Sequence, residues 1–269
     1  MTRIAFSSCT LAIAALAAAV LAACNTPTQV TLDSSGAATL AALQRAPESA
    51  GALIYQGAVF PMGTQDGPAL FNYERRIQDA NGAASATHIT RDASGAVVVS
   101  ESARFTPGYE VQRFDAAHQH AGYSGSVEVT GGRHLRYVLK QGDKISTATE
   151  EVSDPVVTGP SLHGFILAHW DDLAGDQKLA VRMIVLSQKE SYGFQIRRAP
   201  AADGRTAFSI TPSSLLVRMA IDPLRVEFDT ATRKLVRYQG RVPPMQLVDG
   251  KLKSLDAHVD YVMHAANYR

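Results

Sequence analysis

Residues 71–90, FNYERRIQDANGAASATHIT, contain the pattern that decides the fold. Apolar Phe71, Tyr73 and Ile77 are interleaved with polar residues, as in a strand with one buried and one wet face. Asn81–Gly82 follows, and this dipeptide is the strongest short signal for a β-hairpin because both residues tolerate the positive φ of a type I′ turn. The stretch therefore predicts two antiparallel strands joined by a tight turn.

The same pattern continues on both sides of this hairpin, from Leu53 to Met263. Short alternating runs are separated by turn residues at intervals of about 8–12 residues, a spacing typical of antiparallel sandwiches and barrels. The predicted fold class is therefore mainly β: a large curved antiparallel meander sheet, or an open barrel or sandwich. No repeat of fixed period accompanies the pattern, so a solenoid or propeller is not indicated.

One segment in the middle of the chain has helical rather than strand spacing. Its apolar and aromatic residues recur at intervals of three and four: Leu162, Phe165, Ile166, His169, Trp170 and Leu173. Ser161 is placed as an N-cap residue and Gly175 follows the last apolar position, which are common start and stop signals. The segment predicts one amphipathic helix over about residues 161–174, packed on the sheet and containing Trp170, the only tryptophan.

The first residues have the three parts of a bacterial secretion signal. Arg3 supplies positive charge, an uncharged apolar run extends from Leu11 to Leu21, and small residues follow. The run is shorter than the ~20 residues that a membrane-spanning helix needs. The tetrad LAAC at residues 21–24 resembles the lipobox of bacterial lipoproteins. The resemblance implies cleavage between Ala23 and Cys24 and attachment of a diacyl lipid to the Cys24 thiol.

The lipobox sets the expected domain organisation and location. Residues 1–23 form the signal peptide and residues 24–50 a flexible tether, while residues 51–269 form a single β-rich periplasmic domain. A division into two subdomains near Asp154–Pro155 is the alternative. Asn25 does not match the Asp that, in the sorting rule it resembles, retains lipoproteins in the inner membrane. The expected location is the outer membrane, with the lipid-anchored domain facing the periplasm.

Composition excludes several classes of function. Lys and Arg total 26 and Asp and Glu total 25, with no basic patch among aromatic residues, so nucleic acid is not an expected partner. Of the two cysteines, Cys9 lies in the signal peptide and Cys24 is the lipid acceptor. The following domain has no thiolate for catalysis, for a metal cluster or for a disulfide, so its stability must come from its core.

Motifs for catalysis and metal binding are weak. The stretch Gly122–Ser126, GYSGS, has its closing glycine one place too early for a G-x-S-x-G nucleophile elbow and is interpreted as a β-turn. His118 and His120 lack the third and fourth ligands that zinc needs, so they are interpreted as part of a loop. No catalytic residue, metal or cofactor is predicted. Five arginines could form an anion site on one face, although an outward orientation is favoured: Arg182, Arg197, Arg218, Arg237 and Arg241.

Three stretches of the second half resemble uncharacterised, β-rich proteobacterial lipoproteins: residues 159–162 (GPSL), 170–173 (WDDL) and 236–244 (VRYQGRVPP). This resemblance covers the chain from about Pro155 onward and implies no particular activity or catalytic residue. More loosely, the pattern is similar to the lipoprotein carriers and acceptors of the periplasm, in which helices cover a curved antiparallel sheet around an apolar cavity. That second resemblance implies a fold only.

These patterns favour a non-enzymatic, lipid-anchored envelope protein that binds an apolar ligand or a lipidated partner in a β cavity. The expected site lies beneath the predicted helix, with Phe165, Ile166 and Trp170 as ligand-binding residues, and it requires a cavity of several hundred Å³. One alternative is a structural or assembly component of the outer membrane that acts through an exposed apolar patch or an open edge strand. A hydrolase built from dispersed residues is the third hypothesis.

Overall fold

The computed structural model describes residues 51–64, 67–80 and 83–264. The predicted signal peptide (residues 1–23), the cleavage site between Ala23 and Cys24 and the tether (residues 24–50) all lie outside this part of the chain. Lipidation of Cys24 therefore stays a prediction.

Strands account for most of the described residues, and helices are few. In chain order the strands are β1 (Ala52–Pro61), β2 (Phe71–Ala80), β3 (Ala83–Asp92), β4 (Val97–Phe105), β5 (Val111–His118), β6 (Tyr123–Thr130), β7 (His134–Gln141), β8 (Lys144–Glu151), β9 (Val156–Val157), β10 (Leu179–Val185), β11 (Glu190–Ala199), β12 (Arg205–Pro212), β13 (Leu224–Asp229), β14 (Leu235–Val248) and β15 (Lys251–Met263). The helices are α1 (Gly159–Ala168), α2 (Trp170–Ala174) and α3 (Leu215–Ala220), together with a 3-10 turn at Leu186–Gln188.

The strands form one continuous sheet in the order β8-β7-β6-β5-β4-β3-β2-β1-β15-β14-β13-β12-β11-β10-β9. Strands β1 to β8 form one antiparallel meander and β10 to β15 a second, while β9 pairs parallel with β10. The two meanders join where β1 pairs with β15, which places Val59 opposite Val259. The prediction of a mainly β fold built on a large antiparallel meander sheet is confirmed.

The two ends of the sheet approach each other and are connected by side chains. Glu150 of β8 accepts hydrogen bonds from Arg182 Nη2 of β10 (2.7 Å) and from the backbone N–H (2.9 Å) and hydroxyl (2.8 Å) of Ser191 on β11. Tyr137 of β7 donates another to Glu150 at 2.8 Å. We call these four residues the Glu150 seam. Among the described strands β8 and β9 remain the edges, so the sheet is curved but not closed.

Two consecutive helices occupy the region where one was predicted. α1 begins at Gly159, with Thr158 as the N-cap residue, and Ser161 lies in its first turn, where its Oγ accepts a hydrogen bond from the Thr158 N–H at 3.0 Å. His169, with φ −108° and ψ 23°, interrupts the helical backbone before α2. Gly175 follows α2 as predicted.

α1 differs from the amphipathic helix that the spacing predicted. Every residue from Pro160 to Ile166 is buried, because the curved sheet and its loops surround the helix instead of covering one face. A side chain at Gly164 would meet the ring of Tyr109 at 2.1 Å, so glycine permits this close packing. The helix therefore lies inside the concave face of the sheet.

Candidate ligand-binding cavity

A cavity of about 320 Å³ lies between α1 and the concave face of the sheet. Sites that bind small molecules have volumes from about 300 Å³ upward, whereas packed protein cores contain few voids larger than a water molecule. The lining includes apolar residues from both meanders and from α1: Val59, Phe114, Leu162, Ile166, Phe194, Leu224, Val226 and Val259. Two lining residues, Ser187 and Pro243, are exposed, which indicates that the cavity opens to solvent beside them.

Strand register brings a row of polar side chains to the concave face. Tyr55, Arg75, His88, Glu101 and Ala116 occupy directly opposite positions on β1 to β5. Directly opposite residues of antiparallel strands project from the same face of a sheet. Ala116 contributes only a methyl group, and both it and Glu101 line the cavity, so space remains beside the Glu101 carboxyl.

The His88 imidazole is held by two tyrosines. The Tyr73 hydroxyl contacts Nδ1, and the Tyr55 hydroxyl lies 3.4 Å from Nε2. A neutral imidazole has one N–H and one acceptor nitrogen, so it can donate to one tyrosine oxygen and accept from the other hydroxyl. Burial, followed by the charge of Arg75 and by His163, lowers the pKa of His88 well below its usual value. His88 is therefore neutral at pH 7.

Arg75 is fully buried and connects the row to α1. Its Nη2 and Nε donate hydrogen bonds to the Pro160 carbonyl oxygen at 3.0 and 3.4 Å, and its guanidinium lies 5.7 Å from the centre of the Tyr55 ring. On the next turn of α1, burial and then the Arg75 charge lower the pKa of His163 well below its usual value. Arg75 thus binds the start of the helix, and burial together with the Arg75 charge keeps His163 neutral.

Glu101 is a half-buried ionisable residue of the cavity wall. Its Oε2 lies 3.4 Å from the point where a side chain of Gly159 would begin, and His88 Nδ1 lies 3.6 Å from the same point. Within the described residues the Glu101 carboxyl forms no hydrogen bond or ion pair. Burial raises its pKa to about 7. The Glu101 side chain is therefore half-buried and lines the cavity beside Gly159, without a hydrogen-bond or ion-pair partner among the described residues.

Sequence reasoning missed Glu101, although a signal was present. Val99, Glu101 and Ala103 share one face of β4, so a single carboxylate interrupts an apolar set. A charged residue on the buried face of a strand is rare unless it is paired or functional. The partner positions on β3 and β5 could not be assigned without the register.

The structure places the three predicted ligand-binding residues differently. Ile166 lines the cavity. Phe165 is 1% exposed and packs in the core beside His169. The Trp170 ring meets Phe208 and Phe228 edge to face, with centroids 5.3 Å apart in each pair. Because successive turns of α1 present Leu162, His163 and Ile166 to the cavity, Phe165 and Trp170 support the helix from the other side. A ligand-binding role for the three stays a prediction.

The interpretation of His118 as part of a loop is wrong: it is the last residue of β5 and is buried. His118 Nε2–H donates a hydrogen bond to the Pro243 carbonyl at 2.8 Å, and its Nδ1 accepts one from the Ala121 N–H at 3.1 Å. The His118 side chain therefore connects β5 to β14. No group of three or more metal-ligating side chains occurs within residues 51–64, 67–80 and 83–264. The GYSGS stretch begins with a glycine at φ +67° and continues as β6.

The arginines of the C-terminal half do not converge on an anion site. Arg182 binds Glu150 in the Glu150 seam. Arg237 pairs with Asp260, and Arg241 pairs with Asp256, each through Nε and Nη2. Arg218 donates to the Pro212 carbonyl, and Arg197 is exposed. Arg182, Arg218, Arg237 and Arg241 therefore serve structural contacts at separate places in the fold.

The geometry disfavours serine-type hydrolysis at the cavity. Such chemistry needs an imidazole nitrogen within hydrogen-bond reach of a nucleophilic hydroxyl. Both nitrogens of His88 face tyrosine hydroxyls instead. The hydrolase hypothesis therefore finds no support in the arrangement around His88.

Exposed apolar residues are relevant to the alternative hypothesis, in which the protein is an assembly component of the outer membrane that acts through its surface. On α3, Leu215, Leu216 and Met219 are 74–79% exposed. At the tip of the β14–β15 hairpin, Leu247 is 70% exposed. These residues and the open edge strands match the features expected of an assembly component, which stays a prediction.

Comparisons with known proteins yield little. No protein-family model matches the chain, and no curated protein matches it. Two solved structures share a weak similarity with it. A porin-like protein from Bacteroides uniformis aligns over 81% of this chain and 99% of its own, with 9% identity and a TM-score of 0.22. A putative thioesterase II from Thermobifida fusca aligns over 84% and 86%, with 10% identity and a TM-score of 0.12.

At such TM-scores neither similarity supports an argument about fold or function. The β-rich architecture rests on the strands themselves, which form a single sheet. Within the part of the chain that the structure describes, no helix is both long enough and apolar enough to cross a membrane.

Proposed function

We propose that the protein is a lipid-anchored envelope lipoprotein that binds an apolar ligand in the cavity between α1 and the sheet, without enzymatic activity. The observation that carries the proposal is the cavity of about 320 Å³ inside an otherwise packed core. A void of this size forgoes the dispersion contacts that filling side chains would make, and each methylene removed from water in such a site contributes about 0.8 kcal/mol to binding.

The arrangement of the lining supports an elongated ligand with one polar end. Apolar side chains from α1 and from the second meander, including Ile166, Phe194 and Val226, form one part of the wall. His88 and Glu101 form another part. An amphiphile could bury its tail against Ile166, Phe194 and Val226 and place its polar group against His88 and Glu101. Sites of this kind combine a mainly apolar wall with a few placed polar groups.

Filling the cavity is expected to abolish ligand binding. Ala116→Phe adds a ring beside Glu101, where the cavity offers room for it, and should weaken binding of the neutral apolar dye N-phenylnaphthylamine at least tenfold. Fluorescence titration of the full chain measures the affinity. Ala180→Phe, at an exposed position of β10, is the matched control and should bind the dye like the wild type. Equal affinities for the two variants would show that the dye binds elsewhere.

Anchoring and location are proposed from the sequence of residues 21–25. Support comes from the resemblance of LAAC to a lipobox, from Cys24 as the sole cysteine after the expected cleavage, and from Asn25. Several acyl chains give stable membrane attachment where one chain gives only reversible binding. The expected location is the outer membrane, with the β domain facing the periplasm.

Cys24→Ala is expected to transfer the protein from the membrane fraction to the soluble periplasmic fraction or to block its processing, because the acyl acceptor is lost. Cell fractionation combined with labelled palmitate checks this. Cys9→Ala removes the other cysteine and should leave both membrane association and label unchanged. Palmitate incorporation that persists in the Cys24 variant would place the modification at another residue.

A further inference from the structure

Glu101 is a half-buried acidic residue of the cavity wall that the fold itself does not use. It faces the cavity and forms no hydrogen bond or ion pair with the described residues. Burying a carboxylate without a partner is costly, since the charge loses its hydration and gains nothing in return. Other acidic groups of the protein, such as Glu150, accept several hydrogen bonds. An acid kept in this state at a cavity wall indicates a role toward the ligand.

The groups around Glu101 favour a cationic partner over an anionic one. The nearest ionisable side chains are Tyr73 on β2, His88 on β3 and Tyr123 on β6, and His163 lies farther along α1. Burial raises the pKa of Tyr73 well above its usual value and that of Tyr123 to about 12, and it lowers the pKa of both histidines. All four side chains are therefore neutral at pH 7.

The arginines in and beside the cavity wall are already engaged with the protein. Arg241 lines the cavity and pairs with Asp256. Arg75 donates two hydrogen bonds to the Pro160 carbonyl oxygen at the start of α1. The aromatic rings of Tyr73, Phe114 and Tyr123 line the cavity together with Glu101. Aromatic faces beside a carboxylate are the chemical surroundings that bind ammonium groups, through charge and through cation–π attraction.

We propose that Glu101 binds the protonated amine of an amphiphile whose apolar tail occupies the cavity. This inference rests on the proposed function, because it names the head group of the ligand that the cavity accepts. An anionic head group would be repelled by Glu101, and a hydroxyl would make one hydrogen bond without charge compensation. A primary ammonium can donate up to three hydrogen bonds, and both Glu101 and the neighbouring tyrosine oxygens are acceptors.

The test compares three probes of equal tail length: decylamine, decanol and decanoate. Titration calorimetry with the full chain at pH 8 measures their affinities, with each probe kept below the concentration at which it forms micelles. The wild type is expected to bind decylamine at least tenfold more tightly than decanol, and decanoate most weakly. Glu101→Gln preserves shape and removes the charge, so it should abolish the preference for decylamine while leaving decanol affinity within about twofold. Glu151→Gln, at an exposed position of β8, is the matched control and should keep the preference.

The pH dependence provides a second measurement. Decylamine affinity of the wild type should weaken by roughly tenfold per pH unit below about 7, because the carboxyl must release its proton to pair with the ammonium. Decylamine affinity of Glu101→Gln should stay flat between pH 5 and pH 8. Wild-type decanol binding with no preference for decylamine would overturn this inference and leave the cavity function intact. Failure of all three probes to bind would overturn both proposals.

Discussion

Replacing Glu150 by alanine is expected to lower the free energy of unfolding by about 3–5 kcal/mol, the range measured when one partner of a buried ion pair is removed. The substitution deletes the acceptor for Arg182, for Tyr137 and for both donors of Ser191. Glu150 is only 19% exposed and Arg182 25%, so the guanidinium would remain largely buried without its anion. The effect is large because this seam connects two ends of the sheet that no strand pairing joins.

Urea unfolding followed by circular dichroism measures the difference. Glu151→Ala is the matched control, since this neighbouring side chain on the same strand is 75% exposed, and its loss should change stability by no more than about 0.5 kcal/mol. A loss below 1 kcal/mol for Glu150→Ala would mean that the curvature of the sheet does not depend on the seam. We also expect the Glu150 variant to bind N-phenylnaphthylamine more weakly, because the cavity wall spans both meanders.

Acid is expected to destabilise the protein below pH 6.5, and Glu101 should moderate this loss. His88 and His163 have lowered pKa values in the folded state, so between pH 6.5 and about 5 they gain protons mainly on unfolding, and stability falls as pH falls. Glu101 has a raised pKa of about 7, so it holds a proton in the folded state that the unfolded chain releases above pH 4.5. Its contribution to stability therefore increases as pH falls through the same window.

The three groups together bind one more proton in the unfolded than in the folded state, which corresponds to a loss of about 1.4 kcal/mol per pH unit. Glu101→Gln removes the opposing group and should steepen the slope by about 1.4 kcal/mol per pH unit, while making the protein more stable than the wild type at pH 8. His163→Phe should make the slope shallower by about the same amount. Urea unfolding at several pH values measures the slope for the wild type and both variants. The contributions of all other titratable groups cancel when the slopes are subtracted. Identical slopes for the wild type and Glu101→Gln would contradict the assigned burial of Glu101.

Helix α1 shows which structural features a local sequence pattern can predict and which it cannot. Its position was predictable because the spacing of Leu162, Ile166 and Leu173 is a property of neighbouring residues. Its burial on all sides was not, because the depth of the concave face depends on how fifteen strands curve together. The interruption at His169 and the capping role of Thr158 were not predictable from the sequence either, because they depend on where the chain leaves β9.

The choice of ligand-binding residues depends on tertiary packing more than the choice of secondary-structure elements does, for a physical reason. Phe165 and Trp170 were chosen because large aromatic residues on an apolar stripe face the sheet, and they do pack in the core. Whether a buried residue borders a void or another side chain depends on atomic packing, which periodicity does not encode. Only Ile166 of the three lines the cavity.

The sequence by itself indicated the mainly β pattern and the helical segment that contains α1 and α2, because alternation, helical spacing and turn chemistry act over a few residues. It did not indicate α3 (Leu215–Ala220). The predicted anchor at Cys24 also comes from the sequence, because the resemblance of LAAC to a lipobox involves only neighbouring residues. Only the tertiary structure decided that Arg75, His88 and Glu101, from three strands, share one face beside the start of α1. Their common face depends on strand register and sheet curvature, which are set by contacts between distant parts of the chain. For that reason Glu101 could be assigned to the candidate site only from the tertiary structure.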